Sequence, residues 1–536
     1  MRPFAASAIL LCCAHLAQGA GTPSINGILN NYSYVLPGLP NYGIAPGSLF
    51  VVFGSNLNEQ DYPPSMQSSL PPGLPTTLNG TSISVTVNGV TTSPGLYYAY
   101  LNQLAAVLPS NTPLGSGTII VTNNGQTSAP APIQVVQSAV GLAASAGAGS
   151  GPALAQDANY QLFSPVNSAS PGQAIILWGS GVGADASNDD RTFPMNQNNL
   201  TSIPMSVFIG GVEAPIAYRG RSQFPGVDQV VVTIPKNVPV GCAVSIVAVS
   251  GTVASNSVTL PIAGGGGSCS DPVSPVTASR FQSLAGEDRI VSYGAVFVET
   301  SSFSGPGGTT NSIAGAYFRE ALPQSFGAQI EIAPSLGSCV IEAATVALGI
   351  PDGPFLPTRL GPWLTLFGSG LPSHGVSLEW DGSRNAFLNN LLPVLPAGGS
   401  FTFSSPVGGT TLPSDAVKLP SMPAVWTNQD SITTINRDQG LTVTWSGGAP
   451  DSYVQIVGTA SRFDRSAGAS FICTAPASAG QFTVPPWATL ALPPADSTSA
   501  FLEVATVTYP QAYPIADIDI TWGYGGVVLG MPVSYL

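Results

Sequence analysis

The amino-acid sequence predicts an all-β protein of tandem β-sandwiches, and three observations carry that prediction: a long internal repeat, a composition rich in both strand and turn formers, and scarce charge. The first copy of the repeat opens with APGSLFVVFGSNL (45–57) and closes with NQLAAVLPSNTPLGSGTIIVTNNG (102–125). The second opens with SPGQAIILWGSGV (170–182) and closes with DQVVVTIPKNVPVGCAVSIVAVSG (228–251). Pro109 matches Pro235, Pro113 matches Pro239, Gly115 matches Gly241 and Gly125 matches Gly251, all at a spacing of 126, so the closing halves align without a gap. Self-similarity over such a span marks a duplicated structural unit. Charged residues make up 8% of the chain, against roughly 25% in an average domain. The 61 glycines and 50 prolines instead punctuate runs of Val, Ile, Phe and Tyr. A disordered chain would lack those apolar runs, so the pattern reads as many short strands joined by turns. A length of 536 residues suits three or four domains, each with its own core.

Taken in order, residues 1–19 read as a secretory signal peptide: one Arg2, a mostly apolar run over 4–17 and a small-residue end, Ala17-Gln18-Gly19. The run is too short to cross a bilayer, and no later window holds the roughly 18 uncharged apolar residues of a membrane span. Residues 20–138 form the first predicted sandwich. Within it, 48–53 is a buried strand between Pro46-Gly47 and Gly54-Ser55, 58–78 is a loop with five prolines, and 82–87 alternates cleanly before an Asn88-Gly89 hairpin. Further strands are expected at 96–100, 104–108 and 118–121, with Asn124-Gly125 as a second hairpin turn. Residues 139–263 form the second sandwich. Its Ala-Gly tract at 139–159 joins the repeats with a flexible-linker composition, and a polar loop is inserted at 184–200. GGGGS at 264–268 is the clearest linker in the chain.

Residues 264–424 are predicted to be β-rich but of no definite type. The stretch 312–325 mixes Ala, Tyr, Phe, Arg and Glu as either a helical turn or an irregular strand would, and 361–371 echoes the opening motif without the repeat's second half. Residues 425–536 carry strand patterns at 441–445, 453–458, 471–474, 481–484, 502–509 and 518–522, the count and spacing of another sandwich.

The paired motifs resemble the TIG (IPT) immunoglobulin-like domain. The residues that carry the likeness are IAPGSLFVVFGSNL, VTVNGV and NQLAAVLPSNTPLGSGTIIVTNNG in the first unit. In the second they are SPGQAIILWGSGVG, VFIGGVEAPIAY, DQVVVTIPKNVPVG and SGTVASNSVTLPI. The likeness covers about residues 24–263 and extends to exported bacterial proteins that carry two such units in tandem. It implies immunoglobulin-like sandwiches used as spacers, adhesive modules or carbohydrate-associated domains, and it implies no activity, because fold alone does not fix function.

Composition excludes several partners. The formal charge is −13 and the only lysines are Lys236 and Lys418, so no basic stripe exists to neutralise a nucleic-acid backbone or an anionic membrane. Beyond the leader four cysteines remain: Cys242, Cys269, Cys339 and Cys473. An even count in an exported chain favours two disulfides. Three connectivities are open, and proximity along the chain favours Cys242 with Cys269 and Cys339 with Cys473. Zinc fits poorly, since these cysteines are unpaired in spacing and no histidine is near.

Catalytic candidates are few. His374, in GSGLPSHGVSL, is the one histidine beyond the leader, and no GxSxG elbow supplies a nucleophile for it. Paired carboxylates could serve glycoside hydrolysis. The candidates are Asp185, Asp189 and Asp190 in the inserted loop, Glu287 with Asp288, and Asp517 with Asp519. Glu287 and Asp288 are adjacent, so on a strand they point to opposite faces, while Asp517 and Asp519 would share one. Asp185, Asn188, Asp189 and Asp190 could also gather around Ca²⁺ but lack the DxDxDG spacing, and a solvated loop explains them better. Tyr97, Tyr98 and Tyr100 are the aromatic handle for a sugar face, with Tyr97 expected opposite to the other two.

The reading that results is a non-enzymatic exported scaffold, or an adhesive or carbohydrate-associated protein, in the medium or at the cell surface. It needs no cofactor and no metal, and its partner would be an extracellular glycan or surface protein. The alternative is a secreted hydrolase with its site within 269–536.

Overall fold

The computed structural model describes residues 21–536 apart from 61–64, 67–72, 146, 148, 188–189, 306–307, 322–332, 345–359, 407–416 and 516–517. The leader expected at 1–19 lies outside the described residues, as do Asn188, Asp189 and Asp517. Strands dominate, in paired sheets around apolar cores, and the fold is all-β and immunoglobulin-like.

The first sandwich places β1 (Ser24–Asn30), β2 (Leu49–Ser55), β4 (Gly95–Ala99) and β5 (Gln103–Val107) in one sheet, in the order β1-β2-β5-β4. Facing it, β6 (Gly115–Asn123) lies between β3 (Thr81–Val87) and β7 (Ala131–Val135). Strict alternation drives this arrangement. Ile83, Val85 and Val87 of β3 point inward with Phe50, Val52, Leu104, Ile119 and Val121. Each such side chain contributes about 1.5–3 kcal/mol when fully buried. The Asn-Gly turns behave as their residues dictate, with Asn88 and Gly89 at φ 50° and 79°, and Asn124 and Gly125 at 47° and 82°.

The second sandwich repeats the plan. One sheet runs β8 (Ala174–Ser180), β11 (Asp228–Thr233), β10 (Ile216–Arg221). The other pairs β9 (Ser206–Ile209) and β13 (Val258–Ile262) with β12 (Gly241–Ser250). Neither stretch anticipated as a linker is free. Within the Ala-Gly tract, Gly141–Leu142 and Ala155–Gln156 both pair with β8, and Asn256 Nδ2 donates to Leu142 O and Gly149 O. At the GGGGS stretch Ser168 N donates to Gly267 O (2.7 Å) and Cys269 N to Pro165 O (2.8 Å). Small residues permit mobility but do not impose it when neighbours supply backbone partners.

Beyond residue 270 a single sheet gathers thirteen strands among the described residues. They include β14 (Val291–Phe303), β15 (Thr310–Ala321), β16 (Cys339–Ala344), β17 (Trp363–Gly368), β18 (Val376–Asp381), β19 (Ala386–Leu392) and β20 (Ser400–Ser404). From later in the chain come β22 (Ser452–Ser461), β23 (Gly468–Pro476), β25 (Ala500–Thr508) and β26 (Ile520–Pro532). The order is β16-β23-β22-β25-β26-β14-β15-β19-β18-β17-β20, ending on Val417–Lys418, with Gln511–Ala512 paired to β26. Strands from both sides of residue 424 therefore share one sheet, and β14 pairs in parallel with β26. Of the stretch 312–325, the described residues to 321 belong to strand β15, which has a register shift against β19 between Ser312 and Ala314, while a helix lies earlier, at α1 (Ala278–Ala285), where Thr277 caps Arg280 N.

The sheet has two cores. Near β22 and β23 it is closed by a small sheet in which β21 (Leu441–Ser446) lies between Val425–Trp426 and β24 (Gln481–Val484), enclosing Trp426, Trp445, Phe471 and Tyr535. Near β15 it curls around Phe318, Phe387, Phe401 and Phe403 until Lys418 lies over β26. The Lys418 carbonyl fills the space a side chain at Gly525 would need, so only glycine fits there. A second short helix, α2 (Pro486–Leu490), follows β24.

Candidate functional site

The two sandwiches meet through buried polar groups. Arg221, at the end of β10, is fully buried and pairs with Asp228. It also donates through Nη2 to Gly183 O. Asp228 accepts from Gly181 N and Val182 N, each at 2.9 Å. Burial alone would lower the affinity of the Arg221 guanidinium for its proton, but the carboxylates of Asp228, Asp190 and Asp185 outweigh burial and raise that affinity above the ordinary arginine value. The first sandwich closes the other side. Ser110 N and Oγ both donate to Asp190, Asp185 N donates to Ser110 Oγ, and Gly47 leaves room for the Arg221 tip. Asn30 Nδ2 donates to Ala139 O and Ser180 O, and Leu49 N to Ser180 Oγ.

This network answers the inserted-loop candidates. The Asp185 carboxylate accepts from Ser187 N and Oγ and from Asn198 Nδ2, and Asp190 is taken up by Ser110. Both carboxylates are committed to protein donors at an interface, so Asp185 and Asp190 are not the solvated loop groups expected of them, while Asn188 and Asp189 lie outside the described residues. The tyrosines are likewise structural. A β-bulge between Leu96 and Tyr98 turns Tyr97 and Tyr98 to the same outer face, beside Leu49, Ala105 and Val107, so simple alternation fails there. Tyr97 Oη donates to Pro225 O across the interface (2.7 Å), Tyr98 Oη accepts from Gln103 Nε2, and Tyr100 packs edge-on against Tyr98. The three are half-buried, and they do not form an open platform.

The remaining catalytic candidates separate. Glu287 and Asp519 are brought together by Arg289, which contacts both at 2.6 and 2.5 Å. Partial burial pushes the Asp519 carboxyl upward, but hydrogen bonds from Arg289 and Ser292 and the guanidinium charge carry it below the usual carboxylate range. Asp288 is exposed beside them. His374 is exposed in a turn closed by Gly375 N donating to Pro372 O. The cysteines pair as Cys242–Cys269 and Cys339–Cys473. The second pair are register partners on β16 and β23.

One carboxylate escaped sequence reasoning. Glu299, in the middle of β14, is half-buried on the face that carries the stacked rings of Phe297 and Tyr524. Burial, and then the charge of Glu503, push its carboxyl from 4.5 to about 7. The folded protein thus holds a proton that the unfolded chain releases near 4.5. The contribution of this group to stability is greatest below that value and falls as pH rises to 7, by up to about 3 kcal/mol. Glu503, itself pushed up by burial, adds in the same direction. Urea unfolding at pH 5 and pH 8 should show the decline, and Glu299→Gln should flatten it and be the more stable protein at pH 8.

A ligand-sized space lies where the second sandwich meets α1 and β16. A cavity of about 390 Å³ is walled by Leu154 and Phe163 on one side and by Phe281 and Ile341 on the other, with Gln282 and Glu342 among its polar groups. Cys242 forms part of the wall, and its disulfide ties the sandwich to the segment leading into α1. Clefts between modules, mostly apolar with a few polar groups, are the usual form of a small-ligand site.

No family model matches the chain, and no curated protein matches it. Among solved structures, the chain is similar to the SGBP-B of a Bacteroides ovatus mixed-linkage glucan utilization locus in complex with a mixed-linkage heptasaccharide. The identity is 13% over 46% of this chain and 48% of that one, with a TM-score of 0.20. The match therefore spans about half of that relative. A tetra-tandem repeat from the extending region of a large adhesion protein matches at 11% identity over 94% and 98% of the two chains, TM-score 0.15. The tandem Ig domains of titin match at 10% identity over 45% and 97%, TM-score 0.13.

Proposed function

We propose that the protein is an exported, non-enzymatic adhesive or carbohydrate-associated binding protein built on TIG-type sandwiches, acting in the medium or at the cell surface. The observation that carries this reading is the junction cavity, whose aromatic and aliphatic walls are fixed by a disulfide and by packing between modules. A wall held in place before the ligand arrives lowers the ordering cost of binding. The partner that suits apolar walls with Gln and Glu among their polar groups is a neutral glycan end or an uncharged surface group. The test is a glycan array and a cell-wall polymer pull-down with the full chain. We expect retention of at least one polymer, weakened about tenfold or more by Phe281→Ala with unchanged circular dichroism. Retention unaffected by Phe281→Ala would remove the cavity from the reading. Absence of any retained polymer, or cleavage of one, would overturn it.

A further inference from the structure

A second cleft, farther along the same sheet of the second sandwich, carries independent chemistry. It has a volume of about 730 Å³ and lies between the outer face of β9 and β12 and the Pro485-Pro486 entry to α2. Its apolar walls are Met205 and Phe208 on one side and Pro486 and Leu490 on the other, and Trp487 and Arg219 complete the lining. Two groups there lack the partners that their burial or charge calls for. Trp487 is 3% exposed, yet its indole Nε1 has no acceptor among the described residues. The indoles of Trp178, Trp426 and Trp445 each donate to an oxygen, at 2.7, 3.0 and 2.7 Å. A buried donor without an acceptor calls for an explanation, and a bound acceptor would supply one here. Arg219 donates through Nε and Nη2 to Ile203 O and Thr201 O, both neutral. No carboxylate among the described residues forms an ion pair with it, although the chain holds 27 acidic and only 14 basic side chains. The nearby Ser206 hydroxyl is already committed to Glu213.

We propose that this cleft binds a small amphipathic carboxylate. Its apolar body would pack among Phe208, Met205, Pro486 and Leu490, and its carboxylate would draw on the Arg219 charge and the Trp487 N–H. Both missing interactions are then supplied by one ligand, and neither is supplied by a cation or a hydrocarbon. The inference does not depend on the glycan reading above, since it concerns a different set of residues.

The test is isothermal titration of the full chain with decanoate and with decanol, which share the body and differ in the head. We expect saturable one-to-one binding of decanoate below its micellar range, with decanol at least tenfold weaker. Arg219→Gln should bring decanoate down to the decanol level, Arg219→Lys should keep most of the preference, and Trp487→Phe should weaken decanoate several-fold. Thermal melts of each variant separate lost binding from lost fold. Equal affinity for both probes, no saturable decanoate binding, or an Arg219→Gln protein that still prefers decanoate would each overturn the proposal.

Discussion

Replacing Cys339 and Cys473 together by alanine should lower the unfolding free energy by about 5 kcal/mol, the largest single effect expected in the molecule. The bridge closes a loop with a sequence separation of 134, and in the chain-entropy account the restraint it places on the unfolded ensemble grows with the logarithm of that length. The same account gives about 3.5 kcal/mol for Cys242–Cys269, with a separation of 27. Position enlarges the difference. Cys339 and Cys473 are 1% and 0% exposed and tie the outermost strand of the large sheet, β16, to β23. Without the bridge, β16 still has its ladder to β23 and the bond from Ile341 N to Ser257 Oγ. Urea unfolding of the two double variants checks the order. Equal losses, or a larger loss for the shorter loop, would show that native packing rather than loop closure sets the contribution.

Arg221→Met should cost about 3–5 kcal/mol, because it leaves the buried Asp228 carboxylate without its cation. Asp190 and Asp185 would also lose the charge that offsets them at the seam between sandwiches. Since the pair is out of contact with solvent, its contribution should be nearly insensitive to salt. Breaking the exposed Arg289–Asp519 pair by Arg289→Met should cost far less and should shrink further with salt. Comparing the two variants by thermal unfolding at low and at 0.5 M salt tests the distinction. A comparable small loss in both would mean that the seam tolerates water and that the sandwiches are held by their apolar contacts.

The sandwiches were legible because their signals are local. Alternation along 81–87, the Asn-Gly turns and the repeat spacing need no knowledge of what lies across the molecule. Neither linker could be read in the same way, since the bonds that pin them come from far along the chain, as with Asn256 and Leu142 at a separation of 114. Composition reports what a segment can do alone, and here the neighbours decide. Tyr97 and Tyr98 misled for a smaller reason, as one bulge defeats a period of two. Asp185 and Asp190 lie in a polar loop that the sequence places in solvent and the first sandwich covers. Glu299 left a signal that could have been followed. It is a lone acid within VSYGAVFVETSSF, a run otherwise suited to a buried strand. The orphan indole of Trp487 left none, because hydrogen-bond satisfaction is a property of the assembled structure.

The parallel pairing of β14 with β26 also governs the order in which the molecule can be completed. Ser292 and Asp519 touch across 227 residues, and β26 is flanked by β14 on one side and β25 on the other. A chain emerging from the ribosome or a translocon has made β14 long before the strand that covers its open edge exists. Until then β14 and β15 present an unsealed border to any other chain, so the second half should depend on holdase chaperones or dilution while the first two sandwiches close on their own.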